Sequence, residues 1–156
     1  MFCNCESLKY LPNIGKWDTT SVISIRNIFC NCKSLINLPS DISKWKTNKI
    51  GDMRYLFYNC KSLIFMPDLS QWNISSVKDI SDMLNNCKSL LYLPNISKWN
   101  VSNIYDMSNL CYNCSSLLTC PHISHWDIDK DTNINKMFTE CINCMNLPKK
   151  FGEEYI

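Results

Sequence analysis

An apolar residue returns at every third position through much of the chain, as at Leu8, Leu11, Ile14 and Trp17, with polar residues between. The first element this pattern marks is short. It reads "SLKYL", "SLINL", "SLIFM", "SLLYL" and "SLLTC", each followed by Pro. These runs are apolar, partly aromatic and too short for a helix, which predicts strands. Proline has no N–H for a ladder, so a column of prolines ends the pairing and limits each strand to about five residues. The second element follows a Trp. In "NVSNIYDMSNLCYNC" the apolar positions are Ile104, Met107, Leu110 or Cys111, and Cys114. Val77, Ile80, Met83 and Cys87 repeat them one unit earlier. Offsets of three, then six or seven, predict one face of a short helix. Thr20, Asn48, Ser75, Ser102 and Asp129 stand where N-caps belong. Asp52, Asp79 and Asp106 fall in the first turn, where the helix dipole favours an anion.

The two elements recur in register. The prolines Pro12, Pro39, Pro67, Pro94, Pro121 and Pro148 are spaced 27, 28, 27, 27 and 27 residues apart. Trp17, Trp45, Trp72, Trp99 and Trp126 form a second column, and Cys5, Cys32, Cys60, Cys87, Cys114 and Cys141 a third. The single spacing of 28 comes from one extra residue between Pro39 and Trp45. A unit of this size cannot bury its own apolar side, so units must stack and equivalent residues form ladders. The predicted fold class is α/β: a right-handed solenoid with one short parallel strand and one short helix per ~27-residue repeat. An all-β solenoid is the alternative, because of the three-residue period. The solenoid is expected over residues 1–148, about five units and a partial sixth, and a C-terminal tail or cap over 149–156.

Composition narrows the function. Of 156 residues 46% are apolar and 19% charged, enough for a core and too little charge for wholesale disorder. The net charge of +2 is scattered, which argues against nucleic acid held by bulk electrostatics. Three glycines leave no phosphate-cradling loop. No apolar run approaches the roughly 20 residues of a membrane span. The opening "MFCNCESLKYLPNIG" lacks the pattern of a secretory leader. The chain is expected to be intracellular if Met1 is its true start, and at the cell surface if it is part of a longer protein.

Eleven cysteines are the conspicuous chemistry. Cys111 and Cys114, and Cys141 and Cys144, have zinc-knuckle spacing, with Cys120, His122 and His125 near in sequence. A zinc-supported scaffold near Cys111–Cys144 is therefore the alternative reading. Against it, Cys114 and Cys141 belong to the repeating column, Cys111 stands where Phe29 and Phe57 stand, and Cys120 and Cys144 replace Leu or Met. Cys111, Cys120 and Cys144 read as small apolar substitutes. Neighbouring units lie close enough for disulfides between column cysteines, but the count is odd and the column is expected to be buried, which favours a ladder of reduced thiols. A nucleophilic Cys needs a base and an orienting group. Cys32, Cys60 and Cys87 share the identical "NCKSL" and have no His near in sequence, so no catalytic residue is expected. No cofactor is expected either.

The whole unit, "MxxMFxNCxSLxxLPxISxWNxSNVxxM", resembles the BspA-type leucine-rich repeat, also described as the bacterial surface protein repeat or DUF285. The resemblance runs from Met1 to about Pro148. It implies a leucine-rich-repeat-like solenoid, a role in adhesion or protein interaction, and no enzymatic activity. In such an array the residues that vary on the exposed sheet face carry recognition. Tyr10, Asn37, Phe65, Tyr92 and Thr119 lie between the two Leu columns and are the candidate partner-binding residues for a protein or other macromolecule. Met1 and Phe2 match the end of a preceding unit, so the N-terminal edge is expected to pair with further repeats or another chain.

Overall fold

Buried apolar positions recur around the entire unit, at intervals of three for most of it. In the second unit Leu35, Leu38, Trp45, Ile50, Met53 and Leu56 are all buried, in a computed structural model that describes residues 1–151, the Lys150 side chain excepted. Two sets of main-chain hydrogen bonds produce this winding. One set closes tight turns within a unit: Leu56 N–H donates to Met53 O (3.3 Å), Cys60 to Phe57 (3.2 Å) and Leu63 to Cys60 (3.1 Å). The other set joins units: Met53 N–H donates to Asp79 O (3.1 Å), Tyr55 to Ser81 (3.2 Å), Phe57 to Met83 (2.9 Å) and Asn59 to Asn85 (2.7 Å). Donors thus alternate between their own turn and the next unit, so buried amides find partners without a helix.

That corrects one expectation. The helix predicted after each Trp is absent, and among the described residues there is no α-helix and no extended strand. The cause lies in the backbone. Asn27, Tyr55, Asp82, Asn109 and Lys136 have φ between 55° and 60°, and Asn31, Asn59, Asn86, Asn113 and Glu140, four residues on, have φ between 57° and 65°. An L-residue in this left-handed region ends a right-handed helix. The apolar offset of three reports a stack of turns instead. The residues expected to seat helix dipoles brace those turns: Asp52, Asp79 and Asp106 each accept the N–H two residues on, at 3.0, 2.9 and 2.8 Å. Such side-chain turns fix the chain direction locally. The five-residue strands also shorten to isolated parallel bridges. Ser24, Asp52, Asp79, Asp106 and Asn133 pair successively in one column, and Asn37 pairs with Phe65, and Tyr92 with Thr119, in another.

Side-chain ladders run through the core. The Trp17, Trp45 and Trp72 rings stack at 5.8 and 6.1 Å, and Phe2, Phe29 and Phe57 at 5.7 and 5.4 Å. The Trp45, Trp72 and Trp99 indoles donate to Ile14, Ile42 and Leu69 carbonyls of the preceding unit at 2.9–3.1 Å. The extra residue before Trp45 is absorbed by a 3-10 turn, Ser40–Lys44. Of the expected tail or cap over 149–156, Lys149–Phe151 form a 3-10 turn, and the buried Phe151 ring lies 5.8 Å from Phe138. The rest of that segment lies outside the described residues.

Candidate functional site

Leu35 and Leu38 point inward three residues apart, which leaves Asn37 facing out. The same geometry recurs in each unit. Tyr10, Phe65 and Tyr92 are 64%, 53% and 48% exposed, Asn37 is exposed and Thr119 half-buried. A chain of main-chain bonds holds the column in register: Ile36 N–H to Lys9 O, Ile64 to Ile36, Leu91 to Ile64 and Leu118 to Leu91, at 3.0–3.2 Å. Units paired this way sit about 4.8 Å apart, which places successive members of the column side by side. The five residues named from the sequence therefore share one outward line.

One member was missed. Met145, 64% exposed, continues the line, bridged to Thr119. The period places Asn146 there, but Asn146 takes a left-handed φ of 61° and the bridge to Thr119 falls on Met145, whose N–H donates to the Leu118 carbonyl at 2.8 Å as Leu118 N–H does to Leu91. The irregular "ECINCMNLP", with Cys in place of Leu, is the only signal of this in the sequence. Lys33, Lys61 and Lys88 stand in an adjoining column, with Lys33 paired to Glu6 at 2.7 Å.

The cysteines are occupied elsewhere. Cys32, Cys60, Cys87, Cys114 and Cys141 donate their S–H to main-chain carbonyls of the preceding unit at 2.9–3.2 Å. Burial pushes the Cys32 thiol up to about 11 and the Cys60 and Cys87 thiols well above their ordinary value. Burial thus favours the protonated donor over the ionised, nucleophilic form. Eleven thiols are free, so the described residues contain no disulfide. Among the described residues no group of three or more His, Cys, Asp or Glu is placed to hold a metal ion, and Cys111, Cys114, Cys141 and Cys144 form no such group. Cys141 instead donates to the Cys111 carbonyl at 2.9 Å. His125 faces the Ser124 hydroxyl (3.4 Å) and the Ser97 carbonyl (3.3 Å), with no thiol within those contacts.

The stacked Asp52, Asp79 and Asp106 are the other polar column. Arg54 joins two of them, at 2.6 Å to Asp52 and 3.6 Å to Asp79. Burial works against the Asp52 carboxylate, but the hydrogen bonds and charge of Arg54 outweigh it and hold its pKa below the usual value.

The repeat geometry has a counterpart among known families. A family described as "Mycoplasma protein of unknown function, DUF285" matches residues 1–117 and again 91–150. The chain belongs to DUF285, the BspA-type leucine-rich repeat family. No curated protein matches this DUF285 chain. Among solved structures it is similar to a leucine-rich repeat protein of T. pallidum, at 17% identity and a TM-score of 0.36, over 93% of this chain and 83% of that one. Among the described residues of this DUF285 repeat protein, no helix is long and apolar enough to cross a membrane.

Proposed function

We propose that the chain is a non-enzymatic protein-interaction module that binds its partner through the outward column Tyr10–Asn37–Phe65–Tyr92–Thr119–Met145. One observation carries this reading: four large apolar side chains, each about half exposed or more, fall in a single line. Aromatic and Met side chains are enriched where proteins meet. A second outward column offers less, since Ile23 and Tyr105 are exposed but Gly51 and Lys78 interrupt them. The membership in DUF285 supports an interaction role, and the burial of the column thiols supports the absence of thiol catalysis.

The test replaces Tyr10, Phe65 and Tyr92 together by Ser and compares crosslinked partners with those of the unaltered chain. Exposed substitutions of this kind change stability by about 0.5 kcal/mol or less each, so the melting curve should be retained. Loss of the partners supports the column. Undiminished capture by a folded triple variant, with loss instead in Ile23→Ser/Tyr105→Ser, counts against it.

A further inference from the structure

The Cys120 and Cys144 sulfurs lie 3.4 Å apart. They belong to different columns, Cys120 to the second Leu position of its unit and Cys144 to the first Leu position of the next. They lie next to the bridge between Thr119 and Met145. Their surroundings differ. Cys120 is 1% exposed, whereas Cys144 is half-buried and reachable from solvent. The hydrogen bond between the two sulfurs, in which either could donate, lowers the Cys144 thiol pKa and, with burial, raises that of Cys120. One thiol is thus accessible and disposed to ionise, and its neighbour holds a proton. Cys114 of the carbonyl-bonded column also has thiol neighbours, Cys111 and Cys141, but all three are buried, so none of them offers an accessible thiol.

We propose that Cys144 and Cys120 form a modification site for small-molecule disulfides of the glutathione class, which closes into a disulfide between the last two units. The Cys144 thiolate attacks one sulfur of the oxidant. The oxidant's S–S bond breaks, a mixed disulfide forms on Cys144 and one small thiolate leaves. The Cys120 sulfur then attacks the Cys144 sulfur, its proton passing to the departing second small thiol. The chain loses two electrons and two protons, and the oxidant is reduced to two thiols. The product links positions 24 residues apart and fixes the last unit beside Met145, at the end of the outward column.

The folded full-length chain is treated with oxidised glutathione, quenched in acid, alkylated under denaturing conditions and peptide-mapped. A linked Cys120–Cys144 peptide, reversed by dithiothreitol, is expected. Cys144→Ser abolishes the link. Cys120→Ser leaves one glutathione held on Cys144. A link that forms only when denaturant is present during the oxidation would overturn the proposal. So would a stable glutathione adduct on Cys144 of the unaltered chain with Cys120 still alkylated. Full alkylation of both thiols, while exposed Cys3 carries glutathione, would overturn it as well.

Discussion

Gly15 donates its N–H to the Asp41 carboxylate at 2.9 Å, and the two residues pack so closely that a Cβ on Gly15 would sit 2.6 Å from that of Asp41. Other units carry Ser at this position, in Ser43, Ser70, Ser97 and Ser124. Gly15 departs from them because the neighbouring unit holds the extra residue of the chain, and its 3-10 turn bulges against this point. Restoring the repeat's own residue is therefore expected to harm the fold. Gly15→Ser should destabilise by about 1–3 kcal/mol, the cost of forcing atoms into a packed site. Deleting Asp41, which returns the spacing to that of the other units, should recover most of the loss. Urea midpoints measure both, and an unchanged midpoint for the single variant would refute the account.

The Cys60 thiol bonds the Phe29 carbonyl at 3.1 Å, an oxygen that also accepts the Cys32 N–H at 3.2 Å. Cys60→Ala removes that donor and opens a small void, which should cost about 1–2 kcal/mol. The same column makes the fold sensitive to base. The folded thiols have raised pKa values, about 11 for Cys32 in the column and about 12 for Cys111 outside it. Their stabilisation is complete below the unfolded thiol value of about 8.5. Above it the unfolded chain releases protons that the folded chain retains, and stability falls as pH rises toward the folded values. Thermal melts at pH 7, 9 and 10.5 should show a steady decline. It should be shallower in Cys60→Ala.

The architecture was legible because stacking demands a fixed period, and the Pro, Trp and Cys columns record it residue by residue. The outward column was legible for the same reason: Tyr10, Phe65 and Tyr92 lie between two inward Leu columns. The expected helix fails because Ile104, Met107 and Leu110 recur at a spacing that helices share with stacked turns. The decisive sign was the Asn columns. Asn27 and Asn31, or Asn109 and Asn113, mark two left-handed residues four apart, which no helix contains. Tyr55, Lys136 and Glu140 obscure that column, since they adopt the same φ without the usual residue type. Met145 was hidden because the bridge to Thr119 falls one residue short of the period, and the Cys120–Cys144 approach because the two residues belong to different columns of successive units.

Arg54 and Asp52 form a charged pair whose protonation is measurable directly. Burial alone raises a carboxyl pKa, and Arg54 reverses that at Asp52. The lowered folded value means that the pair's stabilisation is present above the unfolded Asp value of about 3.9. It is lost as pH falls through the folded value. In Arg54→Gln the burial remains and the compensating charge does not. Carboxyl titration by NMR should then show the Asp52 pKa raised from its value in the unaltered chain. An unchanged value would show that hydrogen bonds other than those of the Arg54 side chain dominate.

Glu140 stands where Asn4, Asn31, Asn59, Asn86 and Asn113 stand in the earlier units, with φ at 65°. The earlier residues fit doubly. Asn tolerates the left-handed region better than other L-residues, and its side chain extends a ladder: Asn31 Nδ2 donates to Asn4 Oδ1 at 2.8 Å, Asn59 to Asn31 at 2.7 Å and Asn113 to Asn86 at 2.8 Å. Glu140→Asn should therefore relieve backbone strain and add a rung to Asn113, for a gain of about 1 kcal/mol. For a domain of this size that corresponds to a rise of about 2–4 °C in Tm. Glu140→Gln is the control, because it removes the charge without either benefit. If Gln raises Tm as much as Asn does, charge relief is the cause and the ladder argument fails at this position.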